Sequence, residues 1–151
     1  MPIKTIFLFG NPELAMDSLP LKIAPRLRHE FPSISFEVKD PNEEWDVPEE
    51  LVVIDTVVGI KEVMVFNDLD EFAGSPQMTM HDFDALANLK YLKKLGKLKK
   101  VTIIGVPPEM SKEKAIEAIV KALWLIPTIL SHKRFKDKKE RPLGPPVKAI
   151  D

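Results

Sequence analysis

Two carboxylates and one imidazole stand where this sequence could do chemistry. Asp17 falls in the turn after the first apolar run, Asp55 directly follows Leu51-Val52-Val53-Ile54, and His81 opens the segment His81-Asp82-Phe83-Asp84. Such a trio suits a borderline divalent metal, with coordination positions left for a substrate. Each residue also has a plain structural role open to it. Asp17 could cap the helix that follows, Asp55 could bond turn amides, and His81 could be an exposed loop histidine. The other two histidines fall on a solvated helix face (His29) and in the basic C-terminal stretch (His132). The chain has no cysteine, which excludes a thiol nucleophile, a Cys-ligated zinc and a disulfide framework, and fits a reducing compartment.

Several common motifs are missing. Only Gly10 is present in Gly10-Asn11-Pro12-Glu13-Leu14-Ala15-Met16-Asp17, so neither G-x-G-x-x-G nor a P-loop is formed there. No G-x-S-x-G elbow and no H-E-x-x-H occurs. Lys90, Lys93, Lys94, Lys97, Lys99 and Lys100 read as a solvated helix face and turn, with only Tyr91 as an interleaved aromatic.

The elements that must position the trio follow from periodicity. Ile3–Phe9, Ser33–Val38, Leu51–Ile54, Lys61–Phe66 and Val101–Val106 read as strands, being apolar, β-branched or alternating, and bounded by breakers. Leu19, Ile23 and Leu27 recur at a spacing of four and predict a helix over Leu19–His29. Asp17 or Ser18 stands at its N-cap and Pro20 in its first turn, although Pro25 opposes a continuous helix. Helices are also expected over Asp82–Leu95, with Phe83, Leu86, Leu89, Leu92 and Leu95 down one side, and over Ser111–Leu130. Asp40–Glu50 reads as an acidic loop and Asn67–Glu71 as an acidic turn. Strands alternating with helices predict a three-layer α/β/α architecture, a mostly parallel twisted five-stranded sheet with helices on both faces. In such a sheet, ligands bind at the carboxyl ends of the strands, where Asp17 and Asp55 fall.

With 151 residues one domain is expected, residues 1–130, followed by a basic Pro-containing tail over 131–151. The tail carries seven Lys/Arg against three Asp/Glu, a net +4, which leaves 15 against 20, or −5, for residues 1–130. The overall charge of −1 and a pI near 6.3 argue against a dedicated nucleic-acid binder. No export signal and no apolar run of membrane-spanning length is legible, so a soluble cytoplasmic protein is expected.

Taken in order, these pieces resemble the NiFe-hydrogenase maturation proteases, endopeptidases that trim the C-terminal extension of a hydrogenase large subunit. The family's G-N-x-L-x-x-D-[DE] segment after a first strand is matched by Gly10-Asn11 through Asp17. Its second acid after an apolar strand is matched by Val52-Val53-Ile54-Asp55. A serine followed by a histidine at a helix start is matched by Ser75 and His81, and an I-x-G-[VI]-x-P strand by Ile103-Ile104-Gly105-Val106-Pro107-Pro108. The resemblance covers roughly residues 3–125. It implies that Asp17, Asp55 and His81 are both the metal-binding trio and the catalytic residues of an aspartic-type peptidase. It further implies that the nickel is carried by the substrate, the NiFe-hydrogenase large-subunit precursor, with no organic cofactor. Several features depart from the family pattern: Met16 stands where a second acid is usual, Ser18 and Pro20 where small or glycine residues are usual, the glycine-rich segment before the central strand is replaced by Asp40–Glu50, the turn after Asp55 is short, and the histidine motif reads Met78-Thr79-Met80-His81-Asp82-Phe83-Asp84. These departures define a compact, divergent branch. They keep open a non-catalytic nickel-checking or assembly factor on the same scaffold, and, more distantly, a nucleotide-binding α/β domain.

Overall fold

A computed structural model describes residues 3–40, 43–73 and 80–129, with the side chains of residues 73 and 80–83 outside the description. The described elements run β1 (Thr5–Phe9), a 3-10 turn (Ala15–Asp17), α1 (Leu19–Glu30), β2 (Ser35–Lys39), β3 (Glu50–Thr56), β4 (Met64–Phe66), α2 (Leu69–Ala73), α3 (Met80–Lys94), β5 (Lys100–Val106) and α4 (Lys112–Trp124). The five strands form one sheet in the order β2-β1-β3-β5-β4. All pairings are parallel except β4 against β5. The expected α/β layering and mostly parallel sheet are therefore observed.

Alternation along the strands divides the core into two layers. Ile6, Leu8, Val52, Ile54 and Ile104 face α1 and α4 and pack with Ile23, Leu27, Ile119 and Leu123. Phe7, Phe9, Leu51, Val53 and Ile103 face the other way and pack with Phe72 of α2 and Leu86, Leu89 and Leu92 of α3. Both faces of β1, β3 and β5 are thus withdrawn from water, as the continuous apolar runs require.

The helices show how packing and local chemistry share control. Helix α1 runs through Pro25, which stands on its exposed side while Leu19, Ile23 and Leu27 are buried. Burial of that stripe outweighs the hydrogen bond a mid-helix proline removes. Helix α4 begins as predicted, with Ser111 Oγ accepting from the Lys114 N–H at 3.2 Å. It stops at Trp124 rather than Leu130, because Pro127 has no N–H and its ring opposes the carbonyl four residues back. Helix α3 ends in a Schellman arrangement: Gly96 N–H donates to Lys93 O at 3.0 Å and Lys97 N–H to Leu92 O at 3.1 Å, with Gly96 at φ +82°. That turn carries Leu95 off the apolar stripe into solvent, correcting its expected place on the buried face.

One further expectation is corrected. The acidic stretch 67–71 holds a short helix, α2, where Asp68 Oδ1 accepts from the Glu71 N–H at 2.8 Å and supplies the cap. The acidic loop before β3 is pinned by Trp45, which stacks on Phe9 at 5.2 Å between ring centroids and donates from Nε1 to Asp40 O at 2.9 Å. The tail 131–151 and Ser75 lie outside the described residues. No helix among the described residues is long and apolar enough to cross a membrane.

Replacing Gly96 with alanine meets no atom within 4 Å, so its whole cost is the left-handed backbone. The expected loss is about 1 kcal/mol of unfolding free energy, with asparagine costing less. Urea denaturation of both variants measures it.

Candidate active site

The carboxyl ends of β1 and β3 lie side by side, since Leu8 pairs with Ile54 and each strand ends within two residues of that pair. Chemistry at this rim depends on what the following backbone does. After Phe9 the chain folds back tightly. Asn11 N–H donates to Asp17 O at 2.7 Å, Leu14 N–H to Asn11 O at 3.1 Å, and Asp17 N–H to Leu14 O at 2.9 Å. Asn11 Oδ1 accepts from the Glu13 N–H at 2.9 Å, an Asx turn that starts the reversal. A Cβ on Gly10 would lie 2.8 Å from Asp17 O and 3.2 Å from Leu21 Cγ. Only glycine lets the loop close, so Gly10-Asn11 is the local device that sets Asp17 against the sheet.

Asp17 itself is 8% exposed and Ser18 is 4% exposed. Ser18, not Asp17, occupies the N-cap position of α1, and its hydroxyl turns back to donate to Ala15 O at 3.1 Å instead of capping. The Ser18 side chain therefore does not cap the helix. Met16, on the solvent side of the same turn, is 50% exposed.

Asp55 is 1% exposed and lies inside β3, which continues through Thr56 rather than ending at Ile54. By alternation from Leu51 and Val53 its side chain belongs to the layer covered by α2 and α3. Its Oδ1 accepts from the Thr56 N–H at 2.8 Å. A carboxylate this far from water is costly without such partners. Across the sheet Asp55 pairs with Gly105. A Cβ there would meet Val57 Cγ2 at 2.8 Å and Phe66 Cε2 at 3.0 Å, so side chains from both flanks fill the space beside the acid. The neighbouring Thr56 Oγ1 is buried with no hydrogen-bond partner among the described residues.

His81 is the second residue of α3, which begins at Met80. It stands in the first helical turn, not in a loop ahead of the helix. Helix α3 leads through Gly96 to the start of β5, where Lys99 and Lys100 N–H both donate to Glu49 O at 2.8 and 3.0 Å. Its C-terminus is thus at the amino edge of the sheet. Fifteen residues at 1.5 Å each reach about 22 Å, enough to bring the first turn back toward the carboxyl rim. The backbone places Asp17 and Asp55 on elements that meet this rim, and the His81 side chain lies outside the description. Among the described residues no group of three His, Cys, Asp or Glu side chains could hold a metal ion.

No protein-family model matches the chain, and no curated protein matches it in sequence. Solved structures match it in fold. The hydrogenase maturating endopeptidase HybD from E. coli superimposes with a TM-score of 0.52 at 17% identity, covering 92% of this chain and 94% of that one. The endopeptidase HycI from Escherichia coli gives 0.59 at 19% identity, covering 81% and 91%. A hydrogenase 3 maturation protease gives 0.58 at 18% identity, covering 79% and 88%. The chain has the fold of these hydrogenase maturation endopeptidases along nearly their whole length.

Gly10→Ala should lower stability by about 2 kcal/mol, because the added methyl meets backbone oxygen, which cannot swing aside as a side chain can. Thermal unfolding measures the loss. Amide exchange should show the increase in opening concentrated at Asn11 and Asp17, whose N–H groups bond within the loop.

Proposed function

We propose that this protein is an endopeptidase that removes the C-terminal extension of a NiFe-hydrogenase large subunit after nickel has been inserted. The observation that supports it most is the pair of buried carboxylates, Asp17 and Asp55, at one rim of a fold shared with maturation endopeptidases. Nickel belongs to the substrate in this reading. A chain without cysteine supplies no thiolates, so the sulfur-rich part of the nickel site is the large subunit's own.

The donors suit that role. Carboxylate oxygen and imidazole nitrogen are ligands a borderline divalent ion accepts beside thiolates. Asp17, Asp55 and His81 would hold the loaded substrate by its metal, so that an empty large subunit gains no purchase. Nickel held there would supply Lewis-acid polarisation of the scissile carbonyl. One of the two aspartates takes a proton from water as its oxygen attacks the carbonyl carbon, and returns it to the leaving nitrogen as the C–N bond breaks. The products are a new carboxyl terminus and a free amine, with one water consumed. The shielding of Asp55 strengthens such electrostatic interactions relative to open water. The lack of cysteine also fits work in the reducing cytoplasm.

Met16 favours a second reading. It places an exposed thioether beside Asp17 where the family pattern has a second acid, and a site with one acid fewer can bind a loaded partner without cutting it. A nickel-checking or assembly factor would do just that.

Co-expression with the large subunit from the same genome separates the two readings. Mass spectrometry is expected to show loss of the extension only after nickel loading. Asp17→Ala, Asp55→Ala and His81→Ala should each lower processing by at least about 100-fold, judged by the loss expected on removing a group that acts in the transition state. An intact extension beside bound, nickel-loaded precursor selects the assembly factor. Full processing by all three folded variants rejects the site.

A further inference from the structure

The two edges of the sheet are finished differently. At one, β2 is closed off by charge and side-chain bonding. Arg28 Nη2 donates to Phe36 O at 2.9 Å, Lys39 pairs with Glu37 at 3.3 Å, and Ser35 Oγ donates to Glu37 Oε2 at 3.2 Å. These are the usual means by which an edge strand is kept from pairing with another chain. At the other edge, β4 has neither the charge nor the side-chain bonding, and its three-residue length is its one such protection. Among the described residues, Met64, Val65 and Phe66 form no side-chain hydrogen bond or ion pair, and their backbone bonds run to β5 alone. Met64 is 45% and Val65 39% exposed, and their side chains point to opposite faces of the sheet.

Position gives this open edge a meaning. Met64 pairs with Gly105, and Gly105 pairs with Asp55, so the three stand in one row across the sheet. At about 4.8 Å per strand, the β4 backbone is about 10 Å from that of Asp55, and a strand added outside β4 about 14 Å, roughly four extended residues. Beyond Asp55, on the far side of the same rim, stand two more exposed apolar side chains, Leu14 and Met16, in the loop that holds Asp17. Apolar surface therefore flanks the two acids on both sides.

We infer that the outer edge of β4 receives an extended segment of the substrate protein as a sixth strand, and delivers the bond to be cut to the rim about four residues further on. This inference rests on the proteolytic reading above and names how that site takes its substrate. The added strand gains its affinity from main-chain hydrogen bonds to β4. Its alternate side chains meet Met64 on one face and Val65 on the other, so apolar residues at alternate positions fit best. Leaving the edge at Met64, the segment is already level with Asp55. A folded or helical segment cannot use an unpaired strand in this way.

Binding and cleavage of the nickel-loaded large-subunit precursor are measured for the full-length protein and for Met64→Lys, Val65→Lys and, as a control on the opposite edge, Val38→Lys. Circular dichroism confirms that each variant is folded. The first two variants should bind at least about ten-fold more weakly, with cleavage falling through KM rather than kcat, and Val38→Lys should match the unaltered protein. Precursor binding to the unaltered protein should also slow amide exchange at residues 64–66. Unchanged binding by both β4 variants, or unchanged exchange at those amides, overturns the inference. So does a dimer of the unaltered protein that Val65→Lys dissociates without weakening precursor binding, because the edge then serves a second copy of this chain. Binding lost on β4 substitution while no preparation cuts the precursor upholds the edge and rejects proteolysis. Cleavage with unaltered KM in the β4 variants does the reverse, and no precursor binding by the unaltered protein overturns both.

Discussion

Strand β3 is hydrogen-bonded on both edges and covered on both faces, and that double confinement decides where anything polar can stand. Leu51 through Ile54 have no water to reach and no unused backbone groups to offer. Past Ile54 the sequence turns polar at once with Asp55 and Thr56, and both stay buried. A parallel sheet built this way has its chemistry at a rim because a charge in the covered middle of its central strands would be unsolvated. The same confinement makes Asp55 stiff. It lies within the hydrogen-bonded ladder opposite Gly105, not on a loop, so its backbone moves only if β3 and β5 move with it.

Asp17 reaches the rim by a different route, and the contrast matters for function. Its position is set by a seven-residue reversal that closes on the contact between Gly10 and Asp17 O. That contact is local: it joins residues of a single loop and depends little on the distant core. The candidate site thus couples one acid held by the sheet to another held by a loop, with the first turn of α3 as the third contributor. A substrate entering between them displaces loop atoms more readily than strand atoms, so adjustment to a bulky partner falls on residues 11–17.

Much of this was legible because apolar runs and breakers are strong local signals. Every expected strand is present, and α1 buries the stripe Leu19, Ile23 and Leu27 that its spacing predicted. The acids were found for the same reason: each follows such a run. What failed to show depends on contacts between segments distant in sequence. Trp45 sits in a stretch whose charge reads as loop, and only its stacking on Phe9 reveals an anchor. Gly10 reads as a turn breaker, whereas its need for hydrogen in place of a side chain appears only when Asp17 O is seen beside it. Strand β4 is half the length its apolar run suggests, because Gly59 at φ +97° and the turn after it occupy the residues before Met64.

The antiparallel direction of β4 was the least legible feature, and it shapes the molecule most on that side. A short strand running against β5 starts at the carboxyl rim and leaves toward the amino edge. Helix α3 ends beside the beginning of β5, so it runs toward the amino edge with its first turn at the opposite end. Had β4 been parallel, its following helix would have started at the rim directly, and the covering of Leu51, Val53 and Ile103 would have needed a different connection. The reversal leaves at the margin of the sheet a short, apolar strand that pairs on one side with β5 alone.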